Sequence, residues 1–167
     1  MAVAVKIVVA VLVWLAPAVV LAFDVNGAAL GGREADVKKA FPSAFCKPLD
    51  WKSAAADRRC DDAKISFGGV PARVTFYLKA DAIQAFDLRF DSVERDKVTA
   101  QLKSRWGAPL SETTETFGQR ERNERKLYKA RWAKGRDQAV LTVPLERKRA
   151  TLSASRGNFD EEIYRVR

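Results

Sequence analysis

From Ile65 to Phe90 apolar and polar residues alternate with a period of two, and no other feature restricts the fold as strongly. Ile65 and Phe67 flank Ser66. After Gly68-Gly69, Val74, Phe76 and Leu78 interleave with Arg73, Thr75 and Tyr77. After Asp81, Phe86, Leu88 and Phe90 interleave with Ala85, Asp87 and Arg89. Successive side chains of a strand point to opposite faces, so each run buries one face and solvates the other. Gly68-Gly69 and Asp81 read as tight turns. The segment therefore predicts an antiparallel meander with one buried face.

Helical periods flank this meander. After Gly31-Gly32, Val37, Ala40 and Phe41 share a face opposite Arg33, Glu34, Lys38 and Lys39, and Pro42 ends the pattern. The second helix is marked at both ends. Asp91 with Glu94 resembles a capping box, Val98, Leu102 and Trp106 recur every four residues, and Gly107 and Pro109 stop it. Leu110 to Arg125 are polar and without period, which predicts a long loop. Strand character returns at Leu127–Trp132, Val140–Val143 and Ala150–Ser155, and the tail Phe159–Arg167 reads as a last strand. The expected fold is α+β, with helices packed on an antiparallel sheet. The order divides into two helix-plus-three-strand pseudo-repeats, residues 23–90 and 91–167. From the end of the helix to the hairpin turn the first copy is the longer, 39 residues from Pro42 to Asp81 against 26 from Pro109 to Gly135, and the difference of 13 equals the number of residues between the two cysteines.

Residues 1–22 read as a cleavable signal peptide. Lys6 is the one charge before Ala22, Ile7 to Leu15 is an unbroken apolar run, Pro17 follows, and Val20-Leu21-Ala22 suits a signal peptidase. The mature chain would be one domain, residues 23–167, exported to a periplasmic or extracellular space. No later stretch is long and apolar enough to span a membrane. In such a compartment Cys46 and Cys60 are expected to form a disulfide, closing a loop of about 15 residues. The C-x-x-C spacing is missing and the chain has 0 His, so neither a redox pair nor a zinc site is predicted. No cofactor is expected.

The absence of His removes the usual general base and every Ser-His or Cys-His constellation. Asp61-Asp62 and Glu161-Glu162 remain as carboxylate pairs for a minor alternative, a carboxylate-based hydrolase. Charge gives the stronger lead. The net charge is +9, or +8 once Lys6 departs. Arg120, Arg122, Arg125, Lys126, Lys129, Arg131, Lys134 and Arg136 fall within seventeen residues, and Arg147-Lys148-Arg149 follow. In the strand Leu127–Trp132, Lys129 and Arg131 share a face opposite Tyr128, Ala130 and Trp132. Basic patches commonly meet nucleic acid, but export turns this one toward acidic proteins, acidic glycans or anionic lipid and glycolipid. Trp106 and Trp132 fit a core. Trp51, between the cysteines, is either a recognition tip or a cover over the disulfide. The expected function is a non-enzymatic binding or inhibitor-like protein. It would recognise an acidic partner through Trp51, Lys126, Lys129, Arg131, Lys134 and Arg136. The alternative is an envelope-structural or assembly protein contacting anionic lipid or glycolipid.

One order of motifs points to relatives. Leu30-Gly31-Gly32, Ala35-Asp36-Val37 and Phe41-Pro42 are followed by Tyr77-Leu78 and Arg105-Trp106-Gly107-Ala108-Pro109. The chain resembles small exported proteins of proteobacteria, most of which have no assigned function. More loosely it resembles the helix-plus-antiparallel-sheet module of β-lactamase inhibitor protein and of small outer-membrane assembly lipoproteins. The resemblance covers the mature chain as an order of elements and carries over no functional residue. The cysteine that such lipoproteins acylate is absent.

Overall fold

The structure is a computed structural model that describes residues 22–118 and 125–165. The predicted signal up to Leu21, and with it Arg120 and Arg122 of the basic run, lie outside the described residues.

Two short strands, β1 (Asp24–Val25) and β2 (Ala28–Ala29), form a hairpin and lead into helix α1 (Glu34–Ala40). Four strands follow: β3 (Phe45–Pro48), β4 (Arg58–Phe67), β5 (Val70–Lys79) and β6 (Ala82–Asp91). A 3-10 turn (Ser92–Glu94) opens helix α2 (Arg95–Trp106). Four more strands come next: β7 (Ser111–Phe117), β8 (Arg125–Lys134), β9 (Asp137–Pro144) and β10 (Arg149–Arg156). The short helix α3 (Phe159–Glu162) ends the described chain. β3 to β10 make one eight-stranded sheet in the order β3-β4-β5-β6-β10-β9-β8-β7, with every neighbouring pair antiparallel.

This corrects the α+β expectation. The structure is mostly strand, at 52%, against 19% helix. Two strands that the sequence hid account for much of the difference, and each half contributes four strands to the large sheet rather than three. β3 and β7 are the two edges of the sheet. Six of the seven residues of β7 are exposed, so no buried face imposes an alternation on Ser-Glu-Thr-Thr-Glu-Thr-Phe. A solvated edge has no period to detect. The tail is likewise a helical turn rather than a last strand, with Phe159 and Ile163 turned inward.

The predicted meander forms, but its first strand starts at Arg58, seven residues before the Ile65 start read from the sequence. Val74, Phe76, Leu78, Phe86, Leu88 and Phe90 all lie in the core. Val37 from α1 and Val98, Leu102 and Trp106 from α2 cover that face. Asp91 caps the 3-10 turn by accepting the Val93 N–H at 3.1 Å. Phe23 is fully buried, with its ring edge-on to Trp106 at 4.7 Å, and Trp106 meets Trp132 at 5.8 Å. The β5–β6 turn is unusual in using no glycine. Ala80 and Asp81 both take positive φ, 47° and 64°. Tertiary bonds hold this turn in place. The Asp57 carboxylate accepts the Ala80 N–H at 3.0 Å, and Asp81 accepts the Glu34 N–H at the start of α1 at 3.1 Å.

Candidate functional site

The second face of the sheet is only partly covered. At one end α3 and the segment around Ala55 and Ala56 pack over Ala85 and Tyr77. Trp51 belongs to this cover. Its Nε1 donates to the Ile163 carbonyl at 3.1 Å and its ring stacks on Tyr164 at 6.2 Å. Trp51 is therefore neither a free recognition tip nor a cover over the disulfide. It ties the C-terminal segment to the sheet. The Cys46–Cys60 disulfide is present, joining directly opposed residues of β3 and β4 with Cα atoms 4.0 Å apart.

The basic residues expected on β8 do not form one patch. Lys129 and Arg131 do share the outer face, but Lys129 is paired with Glu115 at 3.1 Å. Lys134 has the opposite parity and lies over the Phe23 ring at 5.1 Å. Lys126 shares that parity, and its backbone joins the β9–β10 turn through Leu145 and Glu146. Arg136 sits in the β8–β9 turn, where its carbonyl accepts the Gly157 N–H at 2.9 Å. Strand alternation thus divides a contiguous basic run between two faces and a turn.

A denser cationic site lies nearer the middle of the same face. On β5 and β6, Arg73 stands directly opposite Arg89, and Thr151 of β10 is opposite Arg89 on its other side. The β9–β10 turn brings Arg147 and Lys148, and the first residue of β10 brings Arg149, to the same place. Together these five cations line a hollow of about 760 Å³, with Pro71, Pro144 and Thr151 among its walls. None of the five is in an ion pair among the described residues. The one carboxylate lining the hollow is Asp91, whose Oδ1 is occupied in capping Val93. The turn is fixed in position, since the Ser92 N–H donates to the Lys148 carbonyl at 3.1 Å and the Ser92 hydroxyl to that of Arg147.

Arginines facing each other across a ladder repel, and such pairs are destabilising in a sheet. Here no bound carboxylate relieves them. Asp87, two residues from Arg89 on the same face of β6, is the electrostatic neighbour of that arginine. Burial pushes its carboxyl above the ordinary range, while the Ser153 hydroxyl, at 2.6 Å, and Arg89 act in the other direction. Beside it, burial pushes the Tyr77 hydroxyl up to about 12, with Asp87 adding to the shift.

The carboxylate pair Asp61-Asp62 lies on β4, and the two side chains diverge. Asp61 is on the outer face, accepting from Arg59 and Thr75, both at 2.7 Å. Asp62 is buried and accepts from the Ser43 hydroxyl at 2.6 Å and the Lys64 N–H at 3.0 Å. They do not converge on one cleft. Glu34, Cys46 and Cys60 cluster tightly, but both sulfurs are in the disulfide and Glu34 is paired with Arg58 at 2.8 Å and Lys38 at 2.7 Å. What the outer face offers is a cluster of guanidinium groups on strands and a held turn, a chemistry suited to bidentate recognition of carboxylate, sulfate or phosphate.

Arg73 and Arg89 are visible in the sequence only as polar members of two alternations. A straight hairpin counted from the Lys79–Ala82 pair would set Arg73 against Leu88. The ladder shifts by one residue between Tyr77 and Leu78, which brings Arg73 opposite Arg89. The signal was the alternation itself. Keeping both apolar sets on one face requires that one-residue shift.

Comparison with family models, with curated proteins and with solved structures finds no match for this chain.

Proposed function

We propose that the chain is a non-enzymatic binding protein that recognises an acidic partner through the open sheet face centred on Arg73 and Arg89. The observation that carries this reading is the opposed arginine pair, joined by Arg147, Lys148 and Arg149 around one hollow. A sheet that holds like charges in register loses stability, and an anionic partner returns it. Trp51 is not part of this surface, so the contact is cationic rather than aromatic. Lys129 and Arg131 extend it toward β8.

We place this activity outside the cytoplasm. The disulfide supports that reading, as does the signal-like composition of residues 1–22. No helix among the described residues is long and apolar enough to cross a membrane.

The test is equilibrium binding of the purified protein to a fluorescent polyglutamate peptide across a salt series. Replacing both arginines, R73Q with R89Q, should weaken binding at least tenfold and flatten its salt dependence. Equal affinity and equal salt dependence in the double variant would overturn the proposal.

A further inference from the structure

We infer that the partner is a phosphate-bearing lipid at a membrane surface, with its head group in the arginine hollow and its hydrocarbon against Val93 and Leu145. The inference rests on the anion-binding reading above and adds the partner's chemistry.

Val93 and Leu145 are exposed, at 79% and 39%. They come from different elements and meet in one depression. Asp91, Ser92, Glu146, Arg147 and Lys148 line the rest of it. That depression adjoins the arginine hollow, since Asp91, Arg147 and Lys148 line both. Apolar tips and cations therefore share one wall. The backbone holds both tips outward. Val93 is fixed by its N–H to Asp91, and Leu145 donates its N–H to the Lys126 carbonyl at 2.9 Å.

The other exposed large apolar residues do not join this arrangement. Phe45, Phe117 and Leu110 lie on or beside the edge strands, and Tyr164 stacks on Trp51. An acidic protein segment would be served by the cations alone. Exposed aliphatic tips bordering a cationic hollow match an amphiphile, whose charge and hydrocarbon are covalently adjacent. A basic residue near an anionic membrane contributes roughly fivefold in binding, so five of them produce strong, salt-sensitive attachment. The two apolar side chains then add a part that salt does not screen.

The test compares the whole protein with V93S/L145S and R73Q/R89Q variants, after thermal unfolding has shown each to be folded. The probes are phosphatidylcholine vesicles with and without phosphatidylglycerol, the polyglutamate peptide and inorganic phosphate. The wild type should bind phosphatidylglycerol vesicles, and should bind neutral vesicles and inorganic phosphate far more weakly. V93S/L145S should lose about tenfold on the anionic vesicles and less than twofold on polyglutamate. R73Q/R89Q should lose about twenty-five-fold on the vesicles and weaken on the peptide as well. Wild-type vesicle binding unaffected by V93S/L145S would overturn the inference. So would tight binding of polyglutamate, or of inorganic phosphate, without vesicle binding, and the anion-binding reading would survive that result. Failure to bind any of the anionic probes would remove both.

Discussion

Replacing Arg73 with Thr should stabilise the free protein while weakening its anion complex. Opposed cross-strand residues have Cβ atoms about 5 Å apart. Two unit charges at about 7 Å, a separation that long side chains on an open face can reach, repel by about 0.6 kcal/mol in a water-like dielectric. Thr is a good strand former and would lie in a row with Thr151 and Thr142. The gain should be about 0.5 kcal/mol at low ionic strength, or about 2 °C in Tm for a domain of this size. It should fall to a fraction of that at physiological salt and vanish at about 0.5 M, because exposed charges are screened. Arg89→Thr should gain less, since Arg89 also favours the ionised form of Asp87. The assay is thermal unfolding followed by circular dichroism at low and high salt. A lower Tm for Arg73→Thr at low salt, or a gain that salt does not change, would refute the claim that the pair is a standing repulsion.

Further outcomes follow from other parts of the structure. Ala80 holds φ at 47°, so Ala80→Gly should stabilise by about 0.5 kcal/mol, read by chemical denaturation. Cys46→Ala with Cys60→Ala should cost about 3 kcal/mol, and hydrogen exchange should show β3 loosening first, as an edge strand held by the crosslink. Trp51→Phe removes the bond to the Ile163 carbonyl. It should cost about 1 kcal/mol and make the C-terminal segment more sensitive to carboxypeptidase. Burial raises the Asp87 carboxyl above its ordinary value of 3.8. Its favourable contribution is therefore complete below that value and is lost as pH rises through the higher, folded-state value. Asp87→Asn, which stays neutral, should be more stable than wild type at pH 7, and the gain should disappear as pH falls below about 4.

The buried half of the molecule was legible because burial writes a period into sequence. The alternations through Phe76 and Phe86 and the four-residue spacing of Val98, Leu102 and Trp106 identify the strands and helix that pack in the core. Where no face is buried, that signal is missing. β7 reads as loop and β3 as an irregular link for that reason, and with them went the balance between strand and helix. The candidate site was legible in kind but not in place. Charge count points to a basic surface, yet counting along the chain favours the run near Arg131, which the pleat then divides. The pair that matters is separated by a hairpin in sequence and aligned by a one-residue shift in register. Trp51 shows the same limit, since its partners Ile163 and Tyr164 are more than a hundred positions away and no local pattern connects them.

The central claim, that the hollow around Arg73 and Arg89 is where anions are recognised, is tested most directly by NMR of the arginine Nε–Hε groups during titration with the polyglutamate peptide. Arg73, Arg89, Arg147 and Arg149 should shift first and saturate together with one dissociation constant, while Arg131 lags and Arg136 stays nearly still. Small, unsaturated shifts spread over all arginines, or shifts led by Arg131 and Arg136, would contradict it.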